Sequence, residues 1–130
     1  MTTTVRVPKE ILSANNFLYR HWRVYFQYKK NWHWMLRAHL RHVEPVKCKM
    51  SVEIISERKN LIDQDNLVGG CKPILDYLKI AGYIQDDGPK FIKLKVGQCR
   101  AVGAPATLII IKPQRKSNNG IRQTDPKIAS

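Results

Sequence analysis

The chain has 130 residues, is 43% hydrophobic, and carries 23 Lys and Arg against 10 Asp and Glu, a net charge of +13. That length fits one domain with a modest core, and that charge selects a polyanionic partner, DNA or RNA first. Three widely spaced cysteines outside any Cys-x-x-Cys arrangement (Cys48, Cys71, Cys99) argue against a disulfide framework or structural zinc; without a membrane-length apolar run or a signal-peptide core, the chain reads as cytoplasmic.

Thr3 to Val7 alternates with β-branched character and reads as a strand ended by Pro8. From about His21 to Val43, apolar Trp22, Tyr25, Phe26, Trp32, Met35, Leu36, Leu40 and Val43 recur at three- and four-residue steps, which predicts an amphipathic helix. Its basic positions, among them Arg23, Lys30, Arg37 and Arg41, have no acid beside them and suit phosphate. Trp32 is expected in the core, whereas Trp34 falls off the apolar stripe and suits a surface where bases stack.

Pro45 stops that helix, and Lys47 to Glu57 alternates as a half-buried strand. A second helix is expected over Lys72 to Ile80, stopped by Gly82. Gly69-Gly70 weakens its first turns and Pro73 suits a restart, with Asp65 or Asn66 capping a short turn ahead of it. Lys90 to Arg100 and the strongly apolar Ala106 to Lys112 read as two further strands joined by a Gly103/Pro105 turn, the last one central in its sheet. The expectation is an α+β single domain over 1–112, a four-stranded mixed sheet with two helices in the order βαβαββ. A basic, flexible tail over 113–130 follows it.

Within this cationic chain, five of the ten acids fall between positions 63 and 87: Asp63, Asp65, Asp76, Asp86 and Asp87. Clustered carboxylates raise one another's pKa unless a cation sits among them, and a hard divalent metal is the natural candidate. On an extended segment leaving a strand, Asp63 and Asp65 point to one side and can share one metal or flank two. Asp87 can complete the site if the second and third strands are neighbours. Mg²⁺ accepts one or two carboxylates with water and phosphate oxygens, the setting for phosphodiester hydrolysis, and Lys72 can neutralise developing charge. Asp-x-Asp-Asn alone is also an ordinary cap or turn sequence, as is Asp86-Asp87-Gly88-Pro89. Asp76, mid-helix, suits a solvated or a supporting role. His39 and His42, three apart, lack the neighbouring acid or Cys that a metal site calls for.

Asp63-Gln-Asp65-Asn66-Leu67, then Lys72-Pro-Ile-Leu75-Asp76-Tyr-Leu78, then Ala81-Gly82-Tyr83-Ile-Gln-Asp86-Asp87 resemble, in order and spacing, the Asp-x-Asp-Asn, Lys-x-x-x-Asp-x-Leu and Ala-Gly-x-x-x-Asp-Asp succession of the RusA-type Holliday-junction resolvases. A weaker echo, Asn15-Asn16-Phe-Leu-Tyr19-Arg20-His21, is similar to the family's polar loop after its first strand. The chain departs from the family in the Val68-Gly69-Gly70-Cys71 insert before Lys72 and in Ile11-Leu12 where a proline pair is usual. The resemblance implies a homodimeric, Mg²⁺-dependent crossover-junction endodeoxyribonuclease of bacteria and their phages, with Mn²⁺ as a possible substitute. Asp63, Asp65 and Asp87 would be its metal ligands, Lys72 the essential basic residue near the scissile phosphate, and Asn66, Asp76 and Asp86 supporting residues. Charge nominates Lys29, Lys30, Arg37 and Arg41, with Tyr19 and Arg20 of the loop, to hold the junction arms. The alternatives are a non-catalytic branched-DNA-binding protein of the same fold and a basic RNA-binding module.

Overall fold

The computed structural model describes residues 2–16 and 22–114, so Tyr19, Arg20 and most of the expected tail lie outside the described residues. Strand β1 (Thr3–Val7) is followed by a single 3₁₀ turn (Ala14–Asn16) and helix α1 (Trp22–His39). Strand β2 (Met50–Arg58), helices α2 (Gln64–Gly70) and α3 (Lys72–Ala81), and strands β3 (Ile92–Arg100) and β4 (Ala106–Pro113) complete it. The sheet order is β1-β4-β2-β3: β4 runs antiparallel to β1 and β2, while β2 and β3 are parallel. The fold is thus α+β with a four-stranded mixed sheet, and β4 is an inner strand as its apolar run predicts. No helix among the described residues is long and apolar enough to cross a membrane.

Period-two alternation decides which face of the sheet is covered. On β2, Met50, Val52, Ile54, Ser56 and Arg58 are buried while Ser51, Glu53, Ile55 and Glu57 are half-exposed. The buried set joins Ile109 and Ile111 of β4, Trp32 and Leu36 of α1, and Ile74 and Leu78 of α3 in one core.

Helix α1 buries a narrower stripe than its periodicity suggests: Tyr28, Trp32 and Leu36, with Leu40 just beyond. Trp22, Phe26 and Val43, expected in that stripe, are exposed. Trp32 is wholly buried and Trp34 is 76% exposed. The helix also stops at His39, four residues short of Val43. The carbonyls just past its end find partners on α3 and just after it: the Tyr77 hydroxyl donates to Leu40 O (2.6 Å) and the Tyr83 hydroxyl to Arg41 O (2.8 Å). The next residues run as a strap whose amides use the α3 end, Val43 N to Ala81 O and Val46 N to Gly82 O.

The expected restart near Pro73 is present: α2 ends at Gly70, Cys71 separates the helices, and Pro73 sits at the start of α3. Gly82 closes α3 in the left-handed region, φ 97°. Gly70 has a packing role beyond helix weakening, since a Cβ there would lie 2.1 Å from Leu12 O. The Tyr28 hydroxyl fastens the same junction, accepting from Leu12 N (3.0 Å) and donating to Gly70 O (2.7 Å). Gly70→Ala is expected to destabilise by roughly 2–3 kcal/mol through overpacking against main chain. The thermal midpoint, read by circular dichroism, should fall by roughly 10 °C, and an unchanged midpoint would refute this close approach.

Candidate active site

Beyond the carboxyl end of β2 the chain is pinned by side chains that periodicity alone makes look misplaced. Arg58 ends the buried series of β2 and is itself buried, donating to Asn60 O (2.7 Å), Ile11 O (2.7 Å) and Ser56 Oγ (3.1 Å). Gln98 continues the Ile92, Leu94, Val96 series of β3 and grips Ile62 twice: its amide oxygen accepts from Ile62 N (3.0 Å) and its nitrogen donates to Ile62 O (2.7 Å). Gln64 donates to Val96 O (2.9 Å). With a tether on each side, Asp63 is fixed in extended conformation as the N-cap of α2, and its carbonyl accepts from Leu67 N.

The chain turns helical at once after Asp63, so Asp65 stands in the first turn of α2. This corrects the expectation that the two carboxylates project from one side of an extended segment. They sit instead around a helix start, where negative charge is favoured by the helix dipole. Asp63 makes no side-chain cap bond, and neither exposed carboxylate has a hydrogen-bond or ion-pair partner among the described residues. Asn66 is half-buried beside them.

A second acidic group lies along α3. Lys72, Asp76 and Lys79 share one face at four- and three-residue spacing, and the segment leading to β3 runs beside it. Lys72 Nζ donates to Asp87 Oδ2 (2.6 Å) and lies 3.4 Å from Asp76 Oδ1; Lys29 of α1 reaches Asp76 Oδ2 at 3.4 Å. The result is an alternating row, Lys29, Asp76, Lys72, Asp87. Asp86 is paired separately with Lys79 (3.4 Å) and its Oδ1 accepts from Asp87 N (2.8 Å). The Lys72 hydrogen bond holds the Asp87 carboxyl below its ordinary range, and the same bond raises Lys72 against the opposing effect of burial. The Tyr25 hydroxyl is pushed up by burial first and by the Asp76 charge second.

Among the described residues no three His, Cys, Asp or Glu side chains stand close enough to hold one ion. Asp87 has Lys72 as its partner, whereas Asp63 and Asp65 have none among the described residues. Two free carboxylates are a donor set that Mg²⁺ accepts, with water and phosphate oxygens making up the rest. Two of the histidines are engaged elsewhere: His33 Nε2 with Pro73 O (3.0 Å) and His39 Nδ1 with Met35 O (2.9 Å). The buried Cys71 thiol is pushed up to about 12 by burial and is inert at neutral pH. Lys30, Arg37 and Arg41 are exposed, whereas Lys29 is committed to Asp76.

No protein-family model matches the chain, and no curated protein matches it. Arg58, Gln64 and Gln98 were missed by motif reading, although Arg58 and Gln98, polar residues completing apolar alternations on strands that prove parallel and adjacent, carry a signal in the sequence.

The Lys72–Asp87 bridge sets a pH dependence. Asp87 has a lowered folded pKa, so its contribution is present above the unfolded value of about 3.9 and lost as pH falls through the folded one. Lys72 has a raised folded pKa, so its contribution is present below about 10.4 and lost as pH rises through the folded value. With Lys72 52% exposed, the bridge is worth at most about 1 kcal/mol. Urea unfolding should show Asp87→Asn less stable than wild type by a constant margin over about pH 5–9, shrinking at both extremes. A margin that persists in strong acid would disprove the bridge.

Proposed function

We propose that this protein is a divalent-metal-dependent endodeoxyribonuclease of the RusA type, a homodimer that cuts four-way junctions and related branched DNA in the bacterial cytoplasm. The observation that carries the reading is the Lys72–Asp87 contact at 2.6 Å. It joins in space the two motif segments, 63–72 and 86–87, whose succession resembles that family. The free carboxylates of Asp63 and Asp65 at the start of α2 support it, as does a net charge of +13 that brings phosphate to the molecule.

In this reading Asp63 and Asp65 would hold Mg²⁺, with Mn²⁺ an acceptable substitute, while Asp87 fixes Lys72. The bound ion supplies charge neutralisation and an activated water for in-line hydrolysis. Lys72, kept protonated by Asp87, lends positive charge to the phosphate under attack and to the departing oxygen. Asp76 and Lys29 hold the Lys72 ammonium in place. Lys30, Arg37 and Arg41 take backbone phosphates of the arms, a contribution that weakens as salt rises. A twofold pairing presents two such sites, the symmetry that paired nicking of a junction calls for.

Labelled four-way junction incubated with Mg²⁺ should be nicked by the wild-type protein and left whole in EDTA. Asp65→Asn should bind the junction with wild-type affinity yet cut it more than about a hundredfold more slowly, beyond the loss typical of residues that only support a metal ligand. Full cutting by that variant would remove Asp65 from the site. A junction bound but never cut, in Mg²⁺ or Mn²⁺, would favour a non-catalytic branched-DNA-binding protein.

A further inference from the structure

A cleft of about 660 Å³ opens between α1 and α3, lined by Lys30, His33, Trp34, Arg37, His42 and Tyr77 among others. Its described lining contains no carboxylate. The floor is aromatic and held in place: the Tyr77 ring meets His33 edge-on at 5.6 Å and His42 at 6.1 Å, and its hydroxyl is tied to Leu40 O. Over this floor stands Trp34, 76% exposed, on a helix that already has Trp32 for its core. A large exposed indole flanked by cations suits a ligand that offers a flat π-face and negative charge together, which a nucleotide does. Self-association through the same patch would set cation against cation. One residue of the cleft touches the chain next to the proposed catalytic cation: His33 bonds the carbonyl of Pro73, the residue after Lys72.

We propose that this cleft receives an unpaired nucleotide of a DNA strand, its base on the Trp34 indole and its phosphates on Lys30 and Arg37, with the same strand continuing to Lys72. The continuation to Lys72 rests on the nuclease reading, whereas the stacking does not. Bases inside intact duplex are closed to Trp34, so the cleft favours strands at a branch point, where pairing is interrupted. Trp34 is then a positioning residue, set on the helix that also carries Lys29.

Titrating the full-length protein with an oligothymidylate of about a dozen residues, a length within the span of single-strand sites, should quench tryptophan fluorescence and raise probe anisotropy. Trp34→Phe keeps a π-face and should bind within about twofold of wild type while losing the quench; Trp34→Ala should bind roughly tenfold more weakly. Trp22→Phe should keep both affinity and quench. Trp34→Ala binding as tightly as wild type would overturn the proposal. So would displacement of the oligomer by poly-glutamate at equal charge, or tighter binding of oligouridylate than of oligothymidylate. Junction cleavage on the same preparations separates the two readings. Cutting by wild type with unaltered oligomer binding by Trp34→Ala sinks the cleft alone, while oligomer binding that needs Trp34 in a protein that never cuts sinks the nuclease alone.

Discussion

Because β2 and β3 lie side by side in parallel, the chain leaving Arg58 must travel back along the sheet before it can enter β3 at Ile92. A parallel neighbour requires such a crossover, usually helical, and here it is α2 and α3 laid against the core. The segment before β3 is consequently drawn to α3. Residues fifteen positions apart in the chain, Lys72 and Asp87, meet there. The carboxyl ends of parallel strands commonly carry sites because the chain turns there with its backbone groups open, and here Gln98, Gln64 and Arg58 occupy those groups and set the start of α2.

The acids divide into two electrostatic classes. Asp76, Asp86 and Asp87 each have a lysine, so their charge is balanced inside the fold. Asp63 and Asp65 have none among the described residues, and their stabilisation comes from the helix start and from solvent. In a chain of net charge +13, that leaves negative charge at the start of α2 and a fixed, protonated Lys72 at the start of α3.

The segment just after α1 is held to α3 and the residues following it by phenol-to-carbonyl bonds that answer two needs at once. They satisfy carbonyls past the end of α1 and they fix the aromatic surface on which Trp34 stands. Burial pushes the Tyr77 and Tyr83 hydroxyls up, so both remain donors at neutral pH. The same packing sets Lys29 against Asp76, linking the helix that bears the exposed cations to the row that ends at Asp87.

Periodicity and turn chemistry, which act over a few residues, made the four strands, the break before Pro73, the Gly82 stop and the inner place of β4 legible in the sequence. The burial of Trp32, the exposure of Trp34 and the acidic motif segments could be read there too. Other features depend on partners distant in the chain. The chain leaving α1 takes its partners from α3 and Tyr83, Gly70 is needed because Leu12 passes against it, and Asp65 is helical where β3 holds Ile62 and Gln64. That Asp87 meets Lys72 rather than joining Asp63 and Asp65 is likewise decided by how α3 packs. Hydrogen bonds and close contacts between remote segments have no local period, and only the folded chain reveals them.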